Sequence, residues 1–399
     1  MKRFILSFIL ISQVLLCFSQ DEYHALLKAR ALCLKAGYTD AINVLSSQSG
    51  MEKSTDLLCA RGDAYLSAGL VQKAASDFAS AEGLTPGRGL YGMARAAAAS
   101  GDAKAAVGYL KALMKTEYKP AEPEIDTDSI FDKISASNEW KSLWRQDWYK
   151  DYEKSKWQIE YYIKNGKSDL AREEYATLST EYPDTYVNDY CGALIDIESG
   201  NPSSAIKRLT GSGPQNDKPE VHFLLAKAYA SQGEYFAAAL EYGKLITMHY
   251  NDAAIFLSRA EMLRKAGDRE AAISDLDFYL SLYPEDYKAL SLMGKSFAET
   301  GNLYKALPYM NKNIELHPGE AAAFSDRGDV YFTCRSWENA ISDYSMSLDL
   351  NPTNGAAFLN MGISMINSGR NSEACPFLRK ALELGQKNAA KYISSNCNK

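Results

Sequence analysis

Residues 325–352 read SDRGDVYFTCRSWENAISDYSMSLDLNP, and the same pattern of small, aromatic and proline residues returns every 34 residues. A fixed period of this length is typical of stacked helix pairs, because each short unit needs neighbours to bury its apolar side. The positions that recur in phase are Ala226, Ala260, Gly294, Gly328 and Gly362; Ala238, Ala272, Ala306, Ala340 and Ala374; and Pro284, Pro318 and Pro352.

Each unit is predicted to form two amphipathic helices joined by a turn, since apolar and small residues recur at helical spacing on both sides of the turn. Gly328 on the first helix and Ala340 on the second allow the two backbones to approach closely. Tyr331 and Tyr344 fill the space beside them. Pro352 cannot continue a helix interior and so ends the unit.

The turn inside the unit usually holds a glycine, which adopts the left-handed backbone conformation at a helix end without strain. In the quoted unit Arg335 occupies this position instead. The glycines at the corresponding positions of other units are Gly233, Gly267, Gly301 and Gly369.

Repeats that have an arginine at one position of the first helix also have an aspartate sixteen residues later, and repeats without the arginine lack the aspartate. Where methionine replaces the arginine, an aromatic residue replaces the aspartate, as in Met293 with Tyr309 and Met361 with Phe377. We therefore predict an ion pair between the helices of one unit, worth about 0–1 kcal/mol if it is solvated. Independent choices at the two positions are the alternative. The predicted pairs are Arg61 with Asp77, Arg259 with Asp275, and Arg327 with Asp343.

Composition and motifs argue against several classes of function. The net charge of −6 argues against nucleic-acid binding, because proteins that bind nucleic acid usually carry an excess of positive charge. The sequence has no phosphate-binding loop, no serine-hydrolase elbow and no HExxH motif, and its cysteines and histidines lack the spacing of a metal site. We therefore predict a protein that is not an enzyme, with no cofactor and no metal.

Residues 1–19 are predicted to be a signal peptide. Lys2 and Arg3 precede an apolar run that is too short to cross a membrane comfortably, and Cys17 and Ser19 supply small residues before a cleavage site at Gln20. A lipoprotein anchored at Cys17 and an uncleaved anchor are the alternatives. The mature chain is expected to be extracytoplasmic, periplasmic or secreted, with no integral membrane segment.

The periodicity divides the mature chain into blocks. Residues 20–120 form an N-terminal repeat block and residues 155–385 form a longer one. Between them, residues 121–154 carry no repeat, and residues 386–399 are predicted to be a helix that caps the exposed end of the stack.

The non-repeat segment carries an aromatic stripe with a spacing of four residues: Trp140, Trp144, Trp148 and Tyr152. One interpretation is a helix that packs between the two repeat blocks. The other is an exposed aromatic surface for a partner, because tryptophan and tyrosine dominate the energetics of interfaces.

Six cysteines remain after the signal peptide, and an even number in an exported chain permits disulfides. Cys375 begins the second helix of the last unit, and Cys397 ends the capping helix. If those helices pack antiparallel, the two residues meet, so we predict a disulfide between them, worth about 3 kcal/mol. The other four are expected to be buried free thiols: Cys33, Cys59, Cys191 and Cys334.

These repeats resemble the tetratricopeptide repeat (TPR) family, most specifically over residues 220–385. The resemblance implies an all-α fold, a right-handed superhelical solenoid of about nine to ten antiparallel helix pairs with a C-terminal capping helix. The ending resembles that of secreted TPR proteins of Gram-negative bacteria. The residues that carry this second resemblance are Ala374, Cys375, Ala381, Leu382, Glu383, Leu384, Gly385, Ala389, Ala390 and Cys397.

In this family the first helix of each repeat lines a concave groove, and the resemblance implies a set of groove positions: Asp63, Phe223, Lys227, Glu261, Arg264, Ser291, Lys295, Asp329 and Phe332. The basic and amide clamp by which some TPR domains hold the C-terminal carboxylate of heat-shock chaperones is not matched. Its positions in two adjacent repeats hold Leu257, Glu261, Lys288 and Leu292, and in the next two Ser325, Asp329, Ala356 and Asn360.

The resemblance therefore implies a scaffold or adaptor that binds a protein or peptide partner through the groove. The alternative is a chaperone-like holdase or co-chaperone for secreted or unfolded clients in the periplasm or endoplasmic reticulum. The two differ in selectivity, since a holdase binds apolar peptides broadly.

Overall fold

The computed structural model describes residues 20–211, 213 and 217–397, and every regular element within these ranges is a helix. The predicted signal peptide lies outside the described residues. No helix formed by the described residues has the length and apolar character needed to cross a membrane.

The described chain divides into two compact units. The first contains residues 20–228 together with Met248–Asp252, and the second contains Tyr229–Thr247 together with residues 253–397. The division falls inside one helix of the long predicted repeat block, and each unit is described below by itself.

The helices are numbered in chain order. They are α1 (20–34), α2 (Tyr38–Ser46), α3 (Thr55–Ser67), α4 (Val71–Leu84), α5 (Leu90–Ala99), α6 (Ala103–Leu113), α7 (Glu122–Asp126), α8 (Asn138–Leu143), α9 (Asp151–Lys164), α10 (Ser168–Glu181), α11 (Tyr186–Glu198), α12 (Pro202–Gly211), α13 (Pro219–Ser231), α14 (Tyr235–Thr247), α15 (Ala254–Ala266), α16 (Arg269–Leu282), α17 (Tyr287–Glu299), α18 (Leu303–Leu316), α19 (Ala321–Thr333), α20 (Trp337–Leu350), α21 (Gly355–Asn367), α22 (Asn371–Glu383) and α23 (Ala389–Asn396). Short 3₁₀ helices form at Met51–Lys53 and Ser129–Lys133.

Consecutive helices pack as pairs in both units. In the first unit α3 packs on α4, α5 on α6, α9 on α10 and α11 on α12. In the second unit α15 packs on α16, α17 on α18, α19 on α20 and α21 on α22. The predicted all-α architecture of stacked helix pairs is confirmed.

The small residues lie where two helices of a pair touch. A Cβ atom built on Gly328 would lie 2.8 Å from a ring carbon of Tyr344, and one built on Gly62 would lie 2.6 Å from the ring of Phe78. Ala340, on the facing helix, is fully buried. Glycine is required at the first-helix position because the aromatic ring occupies the space of a side chain.

The turn positions adopt the left-handed conformation that the sequence predicts. The φ angles of the four glycines lie between 77° and 94°. Arg335 adopts a φ of 59° at the same position, so the turn geometry is kept although the residue is not glycine.

The predicted arginine–aspartate pairs are present in all three repeats. In each, the arginine Nε and Nη2 donate to the two carboxylate oxygens of the aspartate at 2.5–2.8 Å. The aspartates are only 4–7% exposed, so the energy given for a solvated pair does not apply to them. Burial makes the loss of either partner more costly than it is on a surface.

The aromatic stripe does not lie on one helix, and that prediction was wrong. Trp140 lies in α8, which ends at Leu143, whereas Trp148 lies in the irregular segment before α9. The Trp148 indole N–H donates to the carbonyl of Leu143, the last residue of α8, at 2.7 Å. Tyr152 then begins the first turn of α9.

The rings of this segment pack inward rather than forming an exposed surface. Trp140 is 9% exposed, and its ring centroid lies 5.2 Å from that of Phe131. Trp144 and Trp148 are half-buried against the same core, which includes Leu110 of α6. Tyr152 is also half-buried, with its ring edge-on to Tyr182. Burial favours the packing interpretation of the aromatic residues.

The end of the chain is a short helix held on the last pair. α23 packs on α22, and Cys397 directly after it is bonded to Cys375 near the start of α22, with 5.7 Å between the Cα atoms. This is the disulfide that the sequence predicts. Of the four cysteines that are free, Cys191 is buried and the other three are half-buried, so the expectation of full burial was wrong for those three.

Candidate protein-binding groove

The first helices of consecutive pairs contact one another in the second unit, α15 with α17, α17 with α19, and α19 with α21. Side chains from these four helices enclose a cavity of about 350 Å³, here called the α15–α21 groove. Its lining includes Arg264, Lys295, Glu299, Asp329, Phe332 and Asn360.

Four of the predicted groove residues line this cavity: Arg264, Lys295, Asp329 and Phe332. Two others lie beside it. Glu261 on α15 forms ion pairs with Lys265 at 2.8 Å and Lys288 at 2.6 Å. The Ser291 hydroxyl on α17 donates to Asp326 at 2.6 Å. The structure thus brings these six residues to one region of the second unit.

The remaining three predicted groove residues lie in the first unit. Phe223 and Lys227 are neighbours on α13, with the ammonium nitrogen 4.5 Å from the ring centroid. Asp63 on α3 forms an ion pair with Arg95 and lines a separate cavity of about 650 Å³, whose walls also include Cys33 and Cys59. The sequence analysis had not predicted this second cavity.

Lys295 of the α15–α21 groove belongs to a hydrogen-bonded cluster around Asp326, a residue that the sequence analysis missed. Its carboxylate accepts from Lys295 at 2.5 Å, from Ser291 at 2.6 Å and from the Tyr287 hydroxyl at 3.3 Å. Burial and this neighbouring carboxylate raise the pKa of the Tyr287 phenol. The Lys295 charge is therefore neutralised within the protein.

One end of the groove carries an excess of positive charge. Glu299 on α17 binds both Arg264 of α15 and Arg269 of α16, the latter at 3.1 Å. Two guanidinium groups thus share one carboxylate. The Nε atom of Arg264 is buried and has no hydrogen-bond partner among the described residues.

The other end is formed by Asp329. Its Oδ1 atom accepts from the Tyr344 hydroxyl at 2.7 Å and from the Asn360 amide at 3.2 Å. Burial raises the pKa of the Asp329 carboxyl, an effect that the hydrogen bond from Tyr344 and the charge of Lys295 oppose.

A signal for these contacts is present in the sequence but requires the repeat geometry. Lys295 and Asp326 are 31 residues apart, Asp329 and Asn360 are also 31 apart, and Arg264 and Glu299 are 35 apart. Each separation is close to one 34-residue period, which places the two residues side by side on adjacent first helices. Pairs of opposite polarity at this spacing could have been sought directly.

A family profile for the tetratricopeptide repeat matches residues 257–321, which contain α16, α17 and α18. This segment of the chain therefore belongs to the tetratricopeptide repeat family. No curated protein matches the chain by sequence.

Solved structures resemble this chain at low sequence identity. A tetratricopeptide repeat protein from Parabacteroides merdae is 16% identical, with a TM-score of 0.52, covering 62% of this chain and 99% of that one. This likeness shows the fold alone.

Two further structures are similar at lower TM-scores. The APC/C hetero-tetramer Cut9–Hcn1 gives 13% identity and a TM-score of 0.47 over 92% of this chain and 88% of the other. The C-terminal part of a TPR protein from Cytophaga hutchinsonii gives 19% identity and a TM-score of 0.40 over 51% and 82%.

The α15–α21 groove combines paired charges, an amide and one aromatic ring. Such a surface can hold the backbone and polar side chains of an extended peptide, which need hydrogen-bond partners on binding. Among the described residues, no group of three histidine, cysteine or acidic side chains is arranged to hold a metal ion.

Proposed function

We propose that this TPR protein is a non-enzymatic, extracytoplasmic scaffold that binds a peptide segment of a partner protein in the α15–α21 groove. TPR proteins are generally non-enzymatic scaffolds that bind protein partners. What we propose for this chain in particular is the surface that binds the partner, the selectivity of that surface and the extracytoplasmic location of the protein.

The observation that carries the proposal is the groove itself. Four successive first helices contribute polar side chains to one cavity: Arg264 from α15, Lys295 and Glu299 from α17, Asp329 from α19 and Asn360 from α21. A pre-formed surface with fixed polar groups favours selective binding, because a ligand that cannot satisfy those groups leaves them desolvated and unpaired.

The same lining disfavours the holdase alternative. A holder of unfolded clients needs a broad apolar surface, whereas five of the residues that line this groove are charged or carry an amide. Phe332 is one aromatic side chain among them. We therefore expect one class of peptide rather than any exposed hydrophobic segment.

The extracytoplasmic location is proposed from the signal-like residues 1–19 and is compatible with the Cys375–Cys397 disulfide, since disulfides persist in oxidising compartments. Fractionation of cells that produce the full chain, with N-terminal sequencing of the product, tests it. A mature N-terminus at Gln20 in an exported fraction is expected. An intact Met1 in the cytoplasm contradicts it.

Peptide binding is tested by selection from a random displayed peptide library on the purified chain from Gln20 onward. The groove is then blocked by Thr333→Trp, because Thr333 is exposed and lines the cavity without forming one of its ion pairs. The matched control is Asp349→Trp, which adds the same ring to the exposed side of α20.

Selected peptides are expected to bind the control variant as they bind the original protein, and to bind the blocked variant at least about tenfold more weakly. Equal binding to both variants would place the site elsewhere. Enrichment of unrelated apolar sequences would favour the holdase.

A further inference from the structure

We propose that the α15–α21 groove selects peptides with a basic side chain, lysine or arginine, which forms an ion pair with Asp329. This inference rests on the proposed peptide-binding function and specifies the chemistry of the ligand. It follows from the distribution of charge among the groove residues.

The other charged side chains of the groove already have partners of opposite sign. Lys295 is bound to Asp326 at 2.5 Å. Glu299 is bound to both Arg264 and Arg269. A ligand cation would therefore have to displace Lys295 from Asp326, or the two arginines from Glu299. The two guanidinium groups at Glu299 also repel it.

Asp329 differs from these residues because none of the described cations lies within ion-pair distance of it, although the charge of Lys295, which is bound to Asp326, acts on it and opposes the effect of burial on its pKa. Both of its hydrogen-bond donors, the Tyr344 hydroxyl and the Asn360 amide, are neutral, and both bind Oδ1. Oδ2 accepts no hydrogen bond from a described residue. Asp329 is one of the residues that line the cavity, so its carboxylate is within reach of a ligand bound there.

The environment makes the Asp329 charge unfavourable without a ligand. Burial raises the pKa of this carboxyl, so its ionisation above the ordinary value of 3.8 costs the folded chain stability. An ammonium or guanidinium group in the cavity would supply a direct ion pair and a charge-assisted hydrogen bond to Oδ2, neither of which Lys295 provides.

Phe332 suits the apolar part of the same ligand side chain. It lines the groove, and its ring is held edge-on against Trp337, with 5.4 Å between the centroids. The methylene stem of a lysine or arginine packs well on such a surface, and the ring face attracts the cationic head. Asp329 and Phe332 thus offer both halves of one binding site.

The test uses peptides selected on the original chain, and compares the binding of each peptide with that of a synthetic copy whose basic residue is replaced by glutamine. The protein variant is Asp329→Asn, which keeps an acceptor for Tyr344 and Asn360 but removes the charge. Asp349→Asn, on the exposed side of α20, is the matched control.

We expect the glutamine copy to bind the original chain and the control at least about tenfold more weakly, and to bind Asp329→Asn within about twofold of the basic peptide. Thermal unfolding at pH 7 provides a second readout. Asp329→Asn should melt no lower than the original chain, because a desolvated charge has been removed.

Selected peptides that lack a basic residue and bind Asp329→Asn normally would overturn the inference and leave the proposed function intact. Failure of any peptide to bind the groove would overturn both. The glutamine copy tests the inference on the original chain, so the result does not depend on the variant folding.

Discussion

Arg327 binds both carboxylate oxygens of Asp343, with Nε–Oδ2 at 2.7 Å and Nη2–Oδ1 at 2.8 Å, and so joins α19 to α20. The hydrogen bond to Asp343 raises the pKa of Arg327. Its Nη1 atom also donates to Asn311 of α18 at 2.8 Å, which extends the contact to the preceding pair. One arginine thus stabilises both a helix pair and its junction with the pair before it.

Arg327→Met should destabilise the second unit by about 2–3 kcal/mol, because it leaves Asp343, only 4% exposed, buried without a cation. The double variant Arg327→Met/Asp343→Phe should recover more than half of that loss. Its residues are those that another repeat uses at the same positions, Met361 and Phe377. Thermal unfolding of the original, single and double variants measures the coupling.

An additive double variant, with no recovery, would contradict this prediction. It would mean that Arg327 and Asp343 contribute independently to stability. The joint occurrence of arginine and aspartate at the same two positions of other repeats, such as Arg61 with Asp77, would then be a coincidence.

The helix pairs and their internal ion pairs could be predicted from the sequence because they depend on a fixed spacing inside one unit. The arginine and the aspartate are sixteen residues apart in each of the three repeats that carry the pair. The groove contacts were missed because they join different repeats. Lys295 and Asp326 are neighbours only after two units have stacked.

The aromatic segment shows a different limit of the sequence analysis. A spacing of four residues from Trp140 to Tyr152 fits a helix, but spacing alone does not record where a chain turns. α8 ends at Leu143, whose carbonyl accepts from the Trp148 indole, and nothing in the local pattern indicates this contact.

Trp140→Ala should destabilise the first unit by about 3–5 kcal/mol, the usual cost of removing a large buried aromatic side chain. The residue is 9% exposed and lies against Phe131 and Trp144. Tyr161→Ala is the control in the same unit, since Tyr161 is 53% exposed and its removal should cost less than about 1 kcal/mol. Thermal unfolding and near-ultraviolet circular dichroism would report both effects.

Normal stability of Trp140→Ala with weakened partner binding would contradict the packing interpretation. It would restore the view that the tryptophan is an exposed contact for a partner.

Arg335→Gly should stabilise the second unit by about 1 kcal/mol. Arg335 has a φ of 59°, a left-handed conformation that is unfavourable for a residue with a Cβ atom. Its side chain is exposed, so little packing is lost. The reciprocal variant Gly301→Arg, at a φ of 77° with open space around it, should destabilise by a similar amount. A lower melting temperature for Arg335→Gly would indicate that the arginine side chain makes a compensating contact.

Cys397→Ser should destabilise the end of the chain by about 3 kcal/mol, because the disulfide to Cys375 closes a loop of 22 residues and restricts the unfolded chain. In a stack whose units contact mainly their neighbours, the effect should remain local. Hydrogen exchange should therefore increase in α22 and α23 and stay unchanged in α15 and α16. Reduction of the original protein should reproduce the pattern, whereas Cys191→Ala, which removes a free thiol, should leave exchange in α23 unaltered. Faster exchange throughout the second unit would show instead that the capping helix controls the stability of the whole stack.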